Sequence, residues 1–239
     1  MEQEKYNAEF LTSELSIRLW RDFEDDQYEA RIALIREYAA SIQSTLDPEV
    51  FEVKLNEQIG LCYYVGGQYQ ETIDCNKTIL EILTPEDSPM SYFLTIDLII
   101  RCSRLIGNFD QAFFWAKKAF AEIAHAPDFN YKLVMLKDYA DLISDSKLEF
   151  DKSYLPIIQS VIEEAGFPHK LAEPISTINS MREMHLYWNR KLMELEETHH
   201  QNKESLLEEY QKYHNTCEIG WYKDYVNKAI SEIKKGKGD

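Results

Sequence analysis

Residues 59–83 read IGLCYYVGGQYQETIDCNKTILEIL, and residues 98–124 read LIIRCSRLIGNFDQAFFWAKKAFAEIA. Both run from an apolar stretch through a glycine turn to an aromatic and a second apolar stretch. Laying Tyr69 on Phe109 sets the offset at 40 residues. A step of 41 back from Tyr69 reaches Tyr28 in DDQYEARIALIREYA, and 41 forward from Phe109 reaches Phe150 in KLEFDKSYLPIIQSV. Four residues after each aromatic stands Ile32, Ile73, Phe113 or Tyr154; eleven after it stands Ala39, Leu80, Phe120 or Val161. Those offsets fall on one face of a helix of 3.6-residue period. An internal repeat of four units follows, and repeats of this length build stacked helical arrays.

The segment before each aromatic carries the same helical pattern. FLTSELSIRLWRDF places Phe10, Leu11, Leu15, Leu19 and Phe23 on one side, and VFEVKLNEQIGLCYYV, SYFLTIDLIIRCSRLI and YKLVMLKDYADLI run alike. Each unit is therefore helix, turn, helix, over about 8–46, 50–84, 90–125 and 129–166. Gly67 and Gly107 suit a left-handed C-cap, where a side chain meets its own backbone, so Gly107 is expected at positive φ. Between units lie TLDPEV, TPEDSPM and HAPDFN. Proline there stops one helix, and Asp or Ser caps the next.

Residues 55–85 resemble the tetratricopeptide repeat. Gly60 and Tyr63 match its small residue and neighbouring aromatic, Gly67 and Tyr69 its turn, and Pro85 its terminal proline. The next unit matches at Gly107, Phe109, Ala112, Ala116 and Ala119. Thr72 stands where alanine is usual, Ile100 replaces the small residue, and the units exceed the family's 34. Long units of this kind resemble regulatory repeat domains of bacteria, over about residues 8–166. The resemblance implies an all-α, right-handed solenoid of about four tetratricopeptide-like helix pairs, with the first helix of each pair lining a concave face. Its inner positions carry over to Lys54, Glu57, Leu61 and Tyr64; to Asp97, Arg101, Arg104 and Leu105; and to Lys137, Asp141 and Ser144. Arg101 and Arg104 then either clamp a carboxylate or pair with Asp97, Glu57 or Asp141.

After AGFPHKLAEP the phrase stops, so the repeat domain is placed at 1–168 and long C-terminal helices at 169–239. From Ile175 to Thr216 there is neither Gly nor Pro. Ile178, Met181, His185, Trp188, Leu192, Leu195, His199, Asn202 and Leu206 alternate three and four, which predicts one long helix with a coiled-coil-like seam. Its apolar half is expected to cover Leu155, Ile158, Val161 and Ile162, and the part beyond His199 to project. Removing 200–239 is then expected to leave a folded monomer. A last amphipathic helix carries Ile219, Tyr222, Val226, Ile230 and Ile233. The helices from Leu206 to Ile233 are the expected homodimer contacts, and the Lys-Gly tail is expected to be disordered.

Composition limits the function. With Lys+Arg 26 against Asp+Glu 42, the net charge is −16, which disfavours nucleic acid and anionic membranes as partners. MEQEKYNAEF lacks the apolar core of a signal peptide, and no apolar run approaches the ~20 residues of a membrane span. Cys62, Cys75, Cys102 and Cys217 lack CxxC spacing and read as reduced thiols of a cytoplasmic protein, against a Cys62–Cys75 bridge. Neither a Gly-rich phosphate loop, GxSxG nor HExxH occurs, so no cofactor and no catalysis is expected. Glu196, His200 and Glu204 at i, i+4 and i+8 form at most one side of a metal site and read as a solvated face. FEDD at 23–26 reads as a charged turn, and the four tryptophans as packing residues.

The function read from this is non-catalytic binding of a peptide or protein segment on the concave face. The alternative is a sensor or regulatory module of a bacterial signalling protein that relays through its C-terminal helix to an output domain outside this chain. A pheromone-receptor-like phosphatase is disfavoured, because the N-terminus is already used by the first repeat.

Overall fold

The computed structural model describes residues 5–6 and 9–235. The expected disorder of the tail falls mainly on 236–239, outside the described residues. All regular secondary structure among the described residues is helical, with no strand. Eleven α-helices follow in order: α1 (Ser13–Arg21), α2 (Tyr28–Ile42), α3 (Pro48–Val65), α4 (Tyr69–Ile82), α5 (Pro89–Leu105), α6 (Phe109–Ala121), α7 (Phe129–Ser146), α8 (Leu155–Ala165), α9 (Pro174–His199), α10 (Lys203–Thr216) and α11 (Gly220–Lys235). They divide into two compact units, Met1–Tyr131 with Asp141–Lys147, and Lys132–Ala140 with Leu148–Asp239.

Chain punctuation sets the helix ends. Asp47, Asn108 and Asp128 cap α3, α6 and α7 through their side chains, and Pro48 and Pro89 open α3 and α5. The aromatics Tyr28, Tyr69 and Phe109 each begin the second helix of a pair. At Gly67 (φ 71°) and Gly107 (φ 75°) the expected left-handed caps are present. Gly67 N–H donates to Tyr64 O and Gln68 N–H to Tyr63 O; Gly107 and Asn108 repeat this with Arg104 O and Ser103 O. These are the paired hydrogen bonds that close a helix C-terminus on a glycine.

In the first unit each of α2 to α5 packs on the helix that follows it. Gly60 sits in the α3–α4 contact, where a Cβ would stand 3.2 Å from Asn76 Nδ2 and 3.3 Å from Cys75 Cβ. A side chain added there would press on Asn76 and Cys75, which would have to give by a few tenths of an ångström. Leu15, Leu19, Ile32, Ile35 and Ile59 form one buried cluster, and Val50, Val53, Ile79 and Leu83 another. Ile73, Ile99 and Cys102 join α4 to α5. All four cysteines are free thiols, and burial raises Cys62 and Cys75 to about 11 and Cys102 to about 12. Arg31 is also buried: Nη2 donates to Phe23 O at 2.6 Å and the guanidinium lies 4.7 Å from the Trp20 ring centre.

The fourth copy of the phrase departs from its prediction. Phe150 precedes α8 instead of starting it, and a short 3₁₀ turn, Lys152–Tyr154, intervenes. Phe150 and Tyr154 both pack edge-on to Tyr139, at 5.3 and 5.2 Å. At the end of α7 the left-handed position is filled by Lys147 (φ 57°), without the glycine of the earlier turns.

The predicted single helix from Ile175 to Thr216 is two helices. It breaks at His200–Asn202, and Asn202 caps α10 by accepting from Glu204 N and Ser205 N, both at 3.1 Å. Asparagine competes with the helical backbone and favours a cap, a signal that glycine and proline alone do not supply. Beyond the break the chain does not project. α10 packs on α9 and α11, and α8 on both α9 and α11. Tyr213 Oη donates to Trp188 O at 2.8 Å, and Tyr210 and Tyr225 both donate to Glu196. Ile178, Met181, His185, Trp188 and Leu192 are buried, so the seam is covered within the unit. Tyr222, Val226 and Ile230, expected at a dimer contact, are buried inside the same chain. Of the tryptophans, Trp188 is a core residue, whereas Trp20 and Trp221 are about two-fifths exposed.

His185 lies in that core, stacked on Tyr222 with Nδ1 3.1 Å from its hydroxyl. Burial, aided by Arg182, lowers its pKa to about 4. The native ring is therefore neutral where the unfolded ring, near 6.5, takes a proton. The unfolded state binds more protons between those values, so stability is full above about 6.5 and falls as pH drops through the window. The loss attributable to His185 is expected to be about 2 kcal/mol at pH 5 and about 3 kcal/mol at pH 4. Urea titrations of wild type and His185→Phe at pH 7 and 5 check this; parallel losses in both proteins would refute it.

Candidate functional site

Within the first unit, α3 and α5 wall an open groove of about 500 Å³. Its lining includes five of the eight predicted ligand-binding residues: Lys54, Glu57, Tyr64, Asp97 and Arg101. Lys54, Glu57, Leu61 and Tyr64 project from successive turns of α3, as residues three or four apart do. Met90, Leu94, Asp97 and Arg101 do the same on α5. Asn76 of α4 also lines the groove and is held by its Nδ2 donating to Thr72 O at 2.7 Å.

The groove's charges are arranged in pairs. Lys54 Nζ lies 2.9 Å from Glu57 Oε2. Arg101 Nη2 donates to both oxygens of Asp97, at 3.1 and 3.0 Å. The Asp97 side chain is only 9% exposed, so this pair is partly desolvated and worth more than a surface pair. Between the pairs the wall is mainly apolar, through Leu61, Met90, Leu94 and Leu98, with Gln58 and Ser91 as polar groups among them. Met90 is 56% and Leu94 49% exposed, values that mark large side chains left in water. Such a surface can bury apolar side chains of an occupant.

Three predicted residues are not among the groove's lining. Arg104 turns to Asp145, with Nη1 2.6 Å from Oδ2. The two arginines therefore do not converge on a common point of the groove wall. Lys137 and Asp141 lie half-buried on α7, and both take part in polar interactions there. Of the associated inner positions, Leu61 lines the groove, whereas Leu105 is exposed near the α5–α6 turn. Met90, Leu94 and Leu98 were missing from the sequence reading. Their signal was present: positions 90, 94, 97/98 and 101 share a helical face, and three of them, Met90, Leu94 and Leu98, are apolar residues on a predicted inner helix.

In the second unit, α9 and α10 border a depression of about 360 Å³. Lys191 rests over Tyr187 and Trp188, and His199 Nδ1 lies 2.7 Å from Ser205 Oγ. Among the described residues no cluster of three potential metal ligands occurs. Glu196, His200 and Glu204 no longer share one helix, since the break separates Glu204 onto α10, and Glu196 accepts from two tyrosines. No described helix is long and apolar enough to cross a membrane. Compared with protein-family models, curated proteins and solved structures, the chain matches none.

Proposed function

We propose that this chain is a non-catalytic scaffold that binds a peptide or protein segment in the α3–α5 groove. In this reading the helix pairs form a right-handed, tetratricopeptide-like solenoid of a cytoplasmic protein, and α3 and α5 are inner helices. The observation that carries it is the groove itself. Residues chosen only for their inner repeat positions, Lys54, Glu57, Tyr64, Asp97 and Arg101, line one open depression with exposed Met90 and Leu94. The glycine turns at 67 and 107 and the neighbour-on-neighbour packing of α2 to α6 support the repeat reading.

Selection from a displayed library of random peptides on the immobilised full chain tests the proposal. Bound clones are expected to lose about tenfold or more in affinity for Leu94→Asp, which places a charge in the apolar wall. Leu94 is half exposed, so the variant should keep the helical circular-dichroism signal and melting temperature of the wild type. Clones that bind Leu94→Asp and wild type equally would move the binding surface elsewhere.

A further inference from the structure

We infer that the groove is selective for an uncharged, apolar stretch of polypeptide, and against an acidic or carboxylate-terminated one; this rests on the binding reading above. Every cation near the groove already has an anion. Lys54 is paired with Glu57, Arg101 with Asp97, and Arg104 with Asp145. An incoming carboxylate would meet an Arg101 already neutralised by Asp97, which accepts from Nη2 with both oxygens, so it would gain little charge compensation. A lysine or arginine on the occupant meets the mirror problem, because Glu57 and Asp97 are taken. Breaking a partly buried pair leaves one charge uncompensated, so either exchange carries a penalty without a matching gain.

The net charge of −16 adds long-range repulsion for an anionic segment and attraction for a cationic one, so discrimination against lysine rests on the seated pairs alone. What the groove leaves unsatisfied is apolar area: Met90 and Leu94 are half exposed, with Leu61, Leu98 and Tyr64 beside them. An apolar side chain seated between the two ion pairs removes that area from water and disturbs neither pair. Met90, unbranched and polarisable, can adjust to occupants of different shape. The complementarity is thus to a neutral apolar segment flanked by groups that tolerate the two self-contained pairs.

The test uses short synthetic peptides in four pools on the full chain: capped neutral apolar, capped with glutamates, capped with lysines, and apolar with a free carboxylate. The neutral capped pool is expected to bind at least about tenfold more tightly than the glutamate and free-carboxylate pools, and more tightly than the lysine pool. Its affinity should change less than about threefold from about 0.05 to about 0.5 M NaCl, since no ion pair forms across the interface. Leu94→Asp and, independently, Met90→Asp should each abolish the preference. Tighter, salt-sensitive binding of the glutamate or free-carboxylate pool, lost in Arg101→Gln, would overturn this inference and leave the binding reading standing. Preference for the lysine pool would do the same. If wild type retains no pool, the binding reading itself falls.

Discussion

A chain ended after His199 is expected to lose the fold of its second unit. The truncation removes α10 and α11, and with them Tyr210, Tyr213, Cys217, Ile219, Tyr222, Val226 and Ile230, all of which are buried. It strips the hydrogen-bonded cover from the Trp188 carbonyl and the stacked ring from His185. It also takes α11, which packs on α8. Burying a large apolar side chain is worth about 1.5–3 kcal/mol, so even after discounting for residual order in the unfolded chain the loss is on the order of 10 kcal/mol. That equals the whole stability of an ordinary domain, about 5–15 kcal/mol. The expected observations are loss of the near-ultraviolet signal of Trp188, binding of a hydrophobic dye, rapid proteolysis within residues 150–199, and aggregation on size exclusion. A soluble, monomeric, protease-resistant fragment would show that α9 needs no cover from α10 and α11.

A three-four apolar alternation does locate the buried face of α9, because burial on a helix follows its period. It says nothing about where the chain turns back. That is decided by Asn202, whose side chain offers the backbone of Glu204 and Ser205 a better partner than a continued helix does. The seam positions beyond it looked too polar to pack because His199 and Asn202 stand on them, yet α10 packs through Tyr210 and Tyr213, on a different register. The repeat was legible for a similar physical reason. Gly67 and Gly107 announce a backbone conformation that is local, and Tyr69 and Phe109 each begin a helix two residues after it. The fourth copy drifted because Lys147 and a 3₁₀ turn do the same work with different residues.

In the groove, the inner positions could be placed by period alone, but their charge state could not. Whether Arg101 reaches an incoming ligand or Asp97 depends on a rotamer. One turn of helix separates Arg101 from Asp97, so the structure resolves it in favour of Asp97. Arg104, which looked like its partner in a clamp, meets Asp145 from another helix instead. Long-range pairs of this kind leave no trace in a single sequence.

Gly166→Val is expected to destabilise the protein more than Gly107→Val, although both glycines stand at similar positive φ, 64° and 75°. The two sites separate two costs. At Gly107 an added Cβ meets nothing within 4 Å, so only the backbone conformation is penalised. That cost is about 1–2 kcal/mol for an L-residue in the left-handed region, and somewhat more for a β-branched one. At Gly166 the same Cβ would stand 3.0 Å from Gly220 Cα and 3.1 Å from Gly220 N, which are backbone atoms and cannot swing aside. Gly220 N–H also donates to Gly166 O at 3.1 Å, tying the end of α8 to the start of α11. Moving the two chains apart to make room breaks that bond and lifts α11 off α8, adding an overpacking cost of about 1–3 kcal/mol. The expected total for Gly166→Val is about 3–5 kcal/mol. Gly166→Ala should show most of it, since the clash is already made by Cβ. Denaturant unfolding of Gly107→Ala, Gly166→Ala and the two valine variants measures the difference directly. Equal losses at the two sites would mean that α8 and α11 are not held at the Gly166–Gly220 contact. A wild-type stability for Gly107→Val would remove the left-handed cap from the α5–α6 turn.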